Sequence, residues 1–220
     1  MREIIIFGTG QIAELAQFYF EHDSEYKVKA FVVDGAYKKE DNFHGKPVLA
    51  LEEAGAAFPP SDFGAFVALS YSKLNALRAD KADALKKAGY TLASYVSSRA
   101  CIFPGTTPGP NAFILEDNTI QPYVRIGANV TLWSGNHIGH HSVIEDNVFI
   151  ASHVVVSGNC RIGERSFIGV NATLRDGIRI GARCVIGMGA AIQADCEDES
   201  VYPGQKTEAA SVKSSRLRSI

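Results

Sequence analysis

An aliphatic residue recurs at every sixth position through the middle of the chain. Neither an α-helix, with a period of 3.6 residues, nor a flat strand, with a period of two, produces this spacing. A second small or apolar residue follows most members four positions later, as Val124, Val130 and Cys160 do. Two inward positions per six residues predict a short strand and a turn wound around a narrow apolar interior, which is a parallel β-helix. The members are Ile114, Ile120, Ile126, Leu132, Ile138, Ile144, Ile150, Val156, Ile162, Ile168, Leu174, Ile180, Ile186 and Ile192.

Three such hexads complete one triangular coil, so residues eighteen apart should stack on neighbouring coils about 4.8 Å apart. The Pro/Gly-rich stretch 98–113 leads into the repeat, with Ile102 already in register and Pro108 interrupting it. After Ile192 the repeat fades, and residues 201–204 are expected to form a closing strand and turn. We therefore expect a β-helix domain over residues 98–205 and a C-terminal tail over residues 206–220.

The first hundred residues show a different pattern, in which short apolar runs alternate with amphipathic ones. Strands that alternate with helices of this length are typical of a parallel sheet covered by helices, so residues 1–97 are expected to form an α/β domain. The predicted strands cover residues 3–7, 28–33, 66–69 and 91–96, and the predicted helices cover residues 12–20 and 72–88.

Composition narrows the functional classes. With 22 basic and 24 acidic residues the formal charge is −2, so nucleic-acid binding is not expected. No apolar run approaches membrane-spanning length and the first residues resemble no cleavable signal, so we expect a soluble cytoplasmic protein. Cys160, Cys184 and Cys196 occupy inward positions, Cys101 lies near the start of the β-helix, and no C-x-x-C pair occurs. Reduced structural thiols are expected rather than disulfides or a zinc site.

A glycine-rich loop follows the first predicted strand. Gly8-x-Gly10-x-x-Ala13 opens a helix, and Asp34 ends the next strand. Glycines let a phosphate approach the backbone, and a helix N-terminus attracts anions, while Asp34 could accept hydrogen bonds from a ribose or a base edge. The alternative is a tight turn that binds nothing. Fewer than 100 residues make half a dinucleotide-binding fold, so one nucleotide is expected rather than a whole NAD.

Histidines cluster in the β-helix. His137, His140, His141 and His153 lie within seventeen positions. Eighteen residues after His140 comes Gly158, so the imidazole should lie beside a gap in the wall of side chains that exposes a backbone N–H. A general base beside an oxyanion donor is the arrangement that acyl transfer requires. The alternative, that corner histidines are merely tolerated, is the favoured interpretation for His137 and His153.

Hexads such as Ile138-Gly-His-His-Ser and Ile162-Gly-Glu-Arg-Ser resemble those of the left-handed β-helix (hexapeptide-repeat) acyltransferases. The first half, with Gly8-Thr-Gly-Gln and Asp34, resembles the small nucleotide-sugar-binding domain that precedes this helix in one branch. That branch contains the sialic acid O-acetyltransferases and the bacterial sugar-nucleotide N-acetyltransferases. The resemblance implies a Rossmann-like α/β domain followed by a left-handed parallel β-helix.

The resemblance also implies a homotrimer that binds acetyl-CoA in the groove between neighbouring β-helices, without a metal. His140 matches the general base, and Gly158 matches the glycine whose amide faces the thioester carbonyl. The other positions implied to contact the coenzyme are Gly169, Val170, Asn171, Gly187, Met188 and Gly189. The positions implied to anchor a nucleotide-linked sugar are Gly8, Gly10, Gln11, Asp34 and Ser70.

The chain departs from the family pattern at several positions. His141 occupies the place of an acidic residue that orients the catalytic histidine in several members, and Trp133 replaces a small amide near the acceptor. His153 is an additional candidate for the substrate pocket, and Tyr202 to Lys206 replace the usual closing signature. The expected reaction is acetylation of an amino group, or a hydroxyl, of a nucleotide-linked sugar for a surface polysaccharide. A sialic-acid-type O-acetyltransferase, a non-catalytic nucleotide-sensing scaffold and a zinc hydratase are the alternatives.

Overall fold

The computed structural model describes residues 2–204 and 206–216. Its N-terminal domain contains a five-stranded sheet in the order β3-β4-β2-β1-β5, parallel except for the β3-β4 hairpin. The four parallel strands follow the order third-second-first-fourth, which is that of half a dinucleotide-binding fold. The strands are β1 Arg2–Phe7, β2 Tyr26–Val33, β3 Asn42–Phe43, β4 Lys46–Ala50 and β5 Gly64–Val67, and the helices are α1 Gln11–His22, α2 Leu51–Ala57 and α3 Ala76–Lys87.

Two predicted elements of this domain differ from the structure. The helix predicted from residue 72 begins only at Ala76, because Lys73, Leu74 and Asn75 have left-handed φ angles of 52°, 51° and 60°. The predicted strand 91–96 divides into a single bridge at Leu92 to the N-terminal sheet and a strand that pairs with the β-helix instead. The β3-β4 hairpin and α2 were not predicted, since these segments are too short to show a clear period.

The second domain is the predicted β-helix, with seventeen two-residue strands arranged on three faces. Residues eighteen apart pair in parallel, as Phe113, Thr131, Phe149, Phe167 and Val185 do, so the predicted register is confirmed. The first face contains β6 Tyr95–Val96, β8 Phe113–Ile114, β11 Thr131–Leu132, β14 Phe149–Ile150, β17 Phe167–Ile168, β20 Val185–Ile186 and β22 Val201–Tyr202. The second contains β7 Cys101–Ile102, β9 Thr119–Ile120, β12 His137–Ile138, β15 Val155–Val156, β18 Thr173–Leu174 and β21 Ala191–Ile192. The third contains β10 Arg125–Ile126, β13 Val143–Ile144, β16 Arg161–Ile162 and β19 Arg179–Ile180.

Four-residue turns join the faces. We call the turns from the first face to the second the first corner, those from the second to the third the second corner, and the remaining turns the third corner. The third residue of each turn is left-handed, which recurs every six residues from Asn111 to Gly189. Asn or Gly occupies eight of these fourteen positions, as expected because these residues adopt positive φ at the lowest cost. His141 and His153 occupy this position, whereas His140 does not.

The interior of the β-helix is filled by the predicted aliphatic residues, which are all buried. Cys160, Cys184 and Cys196 are buried among them as free thiols, whereas Cys101 is exposed. The closing strand at Val201–Tyr202 is also confirmed, although it lies only sixteen residues after β20. The shorter last coil explains why the six-residue register fades after Ile192.

Side-chain hydrogen bonds fasten the two domains together. The Asn111 amide bonds both the N–H and the carbonyl of Val67 at the end of β5, at 2.7 and 3.4 Å. Arg78 on α3 donates to Thr131 Oγ1 and, at 2.6 Å, to the carbonyl of Asn129. Burial of its guanidinium lowers the pKa of Arg78 to about 9. The N-terminal domain is therefore held in one orientation against the first face and the third corner.

In the described segments, no helix combines the length and apolar character needed to cross a bilayer. The tail residues 206–216 are exposed, with one 3₁₀ turn at Ser214–Arg216. The ends of three predicted segments lie outside the described residues: Met1 of the α/β domain, Gln205 of the β-helix domain and residues 217–220 of the tail.

Candidate active site

The His140 imidazole at the second corner lies directly over Gly158 on the next coil. A Cβ atom added to Gly158 would lie 2.7 Å from Cε1 and 2.8 Å from Nε2 of that ring. The predicted stacking of these two residues is therefore confirmed. The ring occupies the space that any side chain at position 158 would need, so glycine is required for this arrangement.

The Gly158 N–H has no acceptor in the described part of the chain. On the coil before, the equivalent N–H of His140 donates to Oε1 of Gln121, nineteen residues earlier, at 2.9 Å. The residue nineteen positions before Gly158 is Gly139, which has no side chain to offer. An open hydrogen-bond donor therefore lies beside the His140 ring.

His141 lies against both His140 and the preceding coil. Its Nδ1 atom is 3.1 Å from Nδ1 of His140, and its ring lies 4.6 Å from the ring of Tyr123. The backbone holds this position, since the His141 N–H donates to the carbonyl of Pro122 at 3.2 Å. Both histidines are exposed, so both rings are open to solvent and ligands.

Asp176 also lies at this site, although the sequence analysis did not identify it as a site residue. One carboxylate oxygen of Asp176 lies 2.9 Å from the same point, the Cβ position of Gly158, that the His140 ring approaches. His140, Gly158 and Asp176 thus form one column at successive eighteen-residue steps. Counting a second coil onward from His140 would have found it.

Cys160 lies two residues from Gly158 but points into the interior, as predicted. Its side chain is buried and its Sγ donates to the carbonyl of Arg175 at 3.1 Å. Burial raises the pKa of the Cys160 thiol, which disfavours the thiolate that a nucleophile needs.

A second histidine–glycine stack occupies the first corner. The His153 ring lies over Gly135 on the coil before, with Cε1 and Nδ1 each 2.5 Å from the Cβ position of that glycine. Here the glycine N–H is already bonded, to the carbonyl of Glu116 at 3.1 Å. His137 is half-buried on β12, where it pairs with Thr119, and so belongs to the second face.

The Glu116 carboxylate ties the first corner to α1. It accepts hydrogen bonds from Ser134 at 2.7 Å and from the Tyr19 hydroxyl at 3.0 Å. Although burial alone would raise the pKa of Glu116, these hydrogen bonds outweigh it and lower the pKa below its ordinary value. Trp133 is half-buried beside this corner and packs against the core of the N-terminal domain, with its ring 6.4 Å from that of Phe149. Within one chain, Trp133 and His153 therefore belong to the first corner and His140 to the second.

The remaining positions implied for the coenzyme also belong to the first corner. Added Cβ atoms on Gly169 and Gly187 would clash with the backbone of the next coil, at Met188 and Gly204, so close coil packing requires glycine at both positions. Val170 and Met188 are exposed, Met188 at 70%. Asn171 and Gly189 occupy left-handed turn positions, with φ angles of 58° and 68°.

The glycine-rich loop in the N-terminal domain borders an open cleft. Gly8 has a φ of 120°, and a Cβ there would lie 2.8 Å from the carbonyl oxygen of Ala68. Gly10 precedes α1, and a Cβ there would meet nothing within 4 Å. The cleft measures about 420 Å³, and Gly10 is the one predicted anchoring residue in its lining. The lining residues are Thr9, Gly10, Val33, Tyr37, Lys39, Glu40, Phe43 and Val48.

The other three anchoring candidates lie near this loop but do not line the cleft. The Asp34 carboxylate pairs with Lys81 on α3 at 2.6 Å. The Ser70 hydroxyl lies 3.3 Å from that of Ser72, beyond the end of β5. Gln11 begins α1 at the loop. Within residues 2–204 and 206–216, no three or more His, Cys, Asp or Glu side chains converge as metal ligands would.

Comparison with known families supports the interpretation of the repeat. Residues 123–158 match the family described as bacterial transferase hexapeptide (six repeats), and residues 160–194 match the hexapeptide repeat of succinyl-transferase. These two segments of the β-helix are therefore similar to hexapeptide repeats of bacterial transferases. No curated protein matches the chain in sequence.

Solved structures share the fold across both domains of this chain. The acetyltransferase domain of PglB from Neisseria gonorrhoeae is 21% identical, with a TM-score of 0.81 over 93% of this chain and 97% of that one. A histidine-to-asparagine mutant of perosamine N-acetyltransferase from Caulobacter crescentus is 21% identical, with a TM-score of 0.83 over 93% and 94%. WeeI from Acinetobacter baumannii is 18% identical, with a TM-score of 0.58 over 86% and 94%. The predicted fold, a Rossmann-like α/β domain followed by a left-handed parallel β-helix, is confirmed.

Proposed function

We propose that the protein is an acetyl-CoA-dependent acetyltransferase that acts on an amino group, or a hydroxyl, of a nucleotide-linked sugar in bacterial surface-polysaccharide biosynthesis. The observation that carries the proposal is the His140 ring over Gly158, with an open N–H beside it. The fold supports it further, because PglB has been solved with acetyl coenzyme A and the perosamine enzyme with CoA and GDP-perosamine.

In the proposed mechanism His140 acts as a general base. Its Nε2 removes a proton from the acceptor as the acceptor nitrogen or oxygen attacks the thioester carbon, a role that contributes about 10²- to 10⁴-fold in rate. The Gly158 N–H stabilises the developing oxyanion, and the loss of one such donor costs about 10²- to 10³-fold in kcat. The thiolate then leaves directly, without a covalent acyl-enzyme, which agrees with the inward position of Cys160.

We propose that the active form is a homotrimer. Gly158 belongs to the second corner, whereas Gly169, Val170, Asn171, Gly187, Met188 and Gly189 belong to the first. A groove formed by the second corner of one chain and the first corner of its neighbour would bring both sets to one coenzyme molecule. The exposed side chains of Val170 and Met188 suit contact with the pantetheine arm or the neighbouring subunit.

We propose that the acceptor's nucleotide binds along Gly8, Gly10 and Gln11, with its phosphates at the N-terminus of α1. The 420 Å³ cleft beside Gly10 would hold the nucleoside, and Ser70 would lie on the other side of the loop. Asp34 can contribute one oxygen while the other stays with Lys81. The sugar would extend from the loop towards Trp133 and His153.

The first test is thermal denaturation of the protein with acetyl-CoA and with UDP-, dTDP- and GDP-linked sugars. A ligand that binds only the folded protein adds about 2.7 kcal/mol at roughly 100 times its Kd, which shifts the melting temperature measurably. Shifts with acetyl-CoA and one nucleotide sugar support the proposal. A shift with acetyl-CoA alone favours sialic-acid-type O-acetylation, and no shift with coenzyme A species leaves a nucleotide-sensing scaffold. Stoichiometric zinc in the purified protein would favour the hydratase.

His140→Ala then tests the mechanism. We expect kcat to fall by about 10²-fold or more while acetyl-CoA still shifts the melting temperature, because the variant loses the base but keeps the groove. Turnover close to that of the wild type would show that His140 is not the base.

A further inference from the structure

We propose that His140 and His141 form a two-imidazole relay that carries a proton from the acceptor to solvent. The inference rests on the proposed function, since it concerns the proton that the acceptor loses. It assigns His141 a role different from that of a carboxylate at the same place, which orients a histidine but does not pass a proton along the ring.

The geometry allows the two rings to share one hydrogen. Their Nδ1 atoms lie 3.1 Å apart, a hydrogen-bond distance between two nitrogens. In neutral imidazole one nitrogen is a donor and the other an acceptor, so only one of the two Nδ1 atoms can carry the hydrogen between them. When His140 carries it, the Nε2 of His140 has a free lone pair beside Gly158, and the proton of His141 lies on its own Nε2.

Both histidines are anchored to the preceding coil. The His140 backbone N–H is bonded to Gln121 Oε1, and His141 lies in a left-handed turn with its ring against Tyr123. Tyr123 is 72% exposed, yet its ring contacts that of His141 at a centroid distance of 4.6 Å, so we assign it as a positioning residue for the relay. The other titratable group facing the pair is Asp176, on the far side of Gly158.

The reaction of an amine leaves a surplus proton. An amino sugar is an ammonium ion in neutral water, so R–NH3⁺ plus the thioester gives the amide, the free thiol and H⁺. Two protons leave the nitrogen in total. The C–N bond forms first, the C–S bond then breaks, and one of the two protons ends on the sulfur. The other must reach solvent. A group that only orients His140 would not carry it away.

The relay moves this proton in three transfers. His140 Nε2 takes a proton from the ammonium, the Nδ1 proton of His140 passes to Nδ1 of His141, and the Nε2 proton of His141 passes to water. Because both rings are exposed, exchange with water then restores the starting tautomers. The free amine attacks the thioester, and His140 Nε2 takes the second proton and passes it to the sulfur as the C–S bond breaks.

His141→Gln separates a relay from an orienting residue. Glutamine can accept the His140 hydrogen bond through its carbonyl but cannot pass a proton on. We expect kcat to fall about 10-fold or more, with little change in KM for acetyl-CoA and acceptor, and we expect added imidazole to restore much of the loss. The wild type should not respond to imidazole. His22→Gln, an exposed histidine of α1 outside the site, is the matched control and should behave as the wild type.

Two outcomes would overturn the relay. One is a His141→Gln enzyme with near wild-type kcat, and the other is a slow variant that imidazole does not rescue. His141→Asn guards against misfolding, because asparagine suits the left-handed turn; folding of each variant is checked by its melting temperature. Absence of turnover in the wild type would overturn the proposed function and the relay with it, so the two failures are distinguishable.

The shared hydrogen is also testable without turnover. Nitrogen-15 NMR of the histidine rings should show complementary tautomers, with Nδ1–H on one ring of the pair and Nε2–H on the other. Identical Nε2–H tautomers on both rings would contradict the relay.

Discussion

Each of the two histidine–glycine stacks of the β-helix places an imidazole ring over a glycine. They differ in whether the N–H of that glycine has an acceptor among the described residues. His153 lies over Gly135 on the coil before, and His140 lies over Gly158 on the coil after. Gly135 is the third residue of its turn, and the third residue donates its N–H to the coil before it, here to Glu116. Gly158 is the second residue of its turn, and its N–H has no acceptor among the described residues. A histidine stacked on a glycine therefore does not by itself provide a free N–H donor. The position of the glycine within the turn decides whether its N–H is free.

The two corners also differ in whether their histidine–glycine stack is packed near the N-terminal domain or exposed to solvent. The first corner is packed against α1 through Glu116, whose carboxylate bonds Tyr19 and Ser134. At the second corner His140 and His141 are exposed. The early coils of the first corner therefore contact the N-terminal domain, whereas the second corner is free to meet a ligand.

The largest expected effect is the difference in kcat between variants of His140 and His153. His140→Asn should lower kcat by about 10²- to 10⁴-fold, because it removes the proposed base. His153→Asn should leave kcat within a few-fold and raise the acceptor KM only modestly, because its glycine offers no free donor. Steady-state kinetics with both substrates varied measure this. Equal losses of kcat in the two variants would contradict the distinction between the corners.

The two glycines should respond in opposite ways to alanine. In Gly158→Ala the methyl group would meet the His140 ring and Asp176 within 3 Å and displace the ring. We expect kcat to fall about 10²-fold with little loss of stability, because a misplacement of about 1 Å can cost that much. In Gly135→Ala the methyl group would displace the His153 ring, which is not the proposed base, and the left-handed backbone, with a φ of 78°, becomes strained by about 1 to 2 kcal/mol.

Gly135→Ala should therefore lower the melting temperature and leave kcat largely intact. Parallel measurements of melting temperature and kcat on both variants are the test. A Gly158→Ala enzyme that keeps its kcat would show that the ring does not need this gap.

The Glu116 carboxylate should make the first corner sensitive to acid. Its pKa in the folded protein is below its ordinary value of 4.5, so the carboxylate stabilises the fold above pH 4.5, and the contribution is lost as the pH falls below that value. Glu116→Gln should cost about 1 kcal/mol of unfolding free energy at pH 7, after allowance for solvent screening. Urea unfolding of both proteins should show this difference shrinking below pH 4.5, and a difference independent of pH would contradict it.

The smallest effect is expected at Cys160. Cys160→Ala should leave kcat within about two-fold of the wild type and cost about 1 kcal/mol of stability, because the buried thiol loses only packing and one weak hydrogen bond. A strong loss of kcat with intact folding would instead support a covalent acyl-enzyme. Iodoacetamide treatment of the folded wild type should likewise leave turnover intact unless Cys101, which is exposed, contributes.

Much of the β-helix follows from local pattern because every coil repeats the same interaction. Ile138 and Val156 pair because they are eighteen residues apart, and the same count placed His140 over Gly158. The N-terminal domain was less predictable at its edges. The delayed start of α3 at Ala76 depends on three left-handed residues that have no glycine among them, which no local rule predicts.

The sequence by itself determined the six-residue period, the inward aliphatic residues, the stacking of His140 on Gly158 and the glycine loop before α1. These follow from chain geometry, which is the same in every coil. Only the tertiary structure decided that Asp34 pairs with Lys81, that Tyr123 lies against His141 and that the Gly158 N–H is open while that of Gly135 is bonded. Each of these depends on which neighbouring element supplies a partner, because a hydrogen bond or an ion pair is satisfied in space and not along the chain.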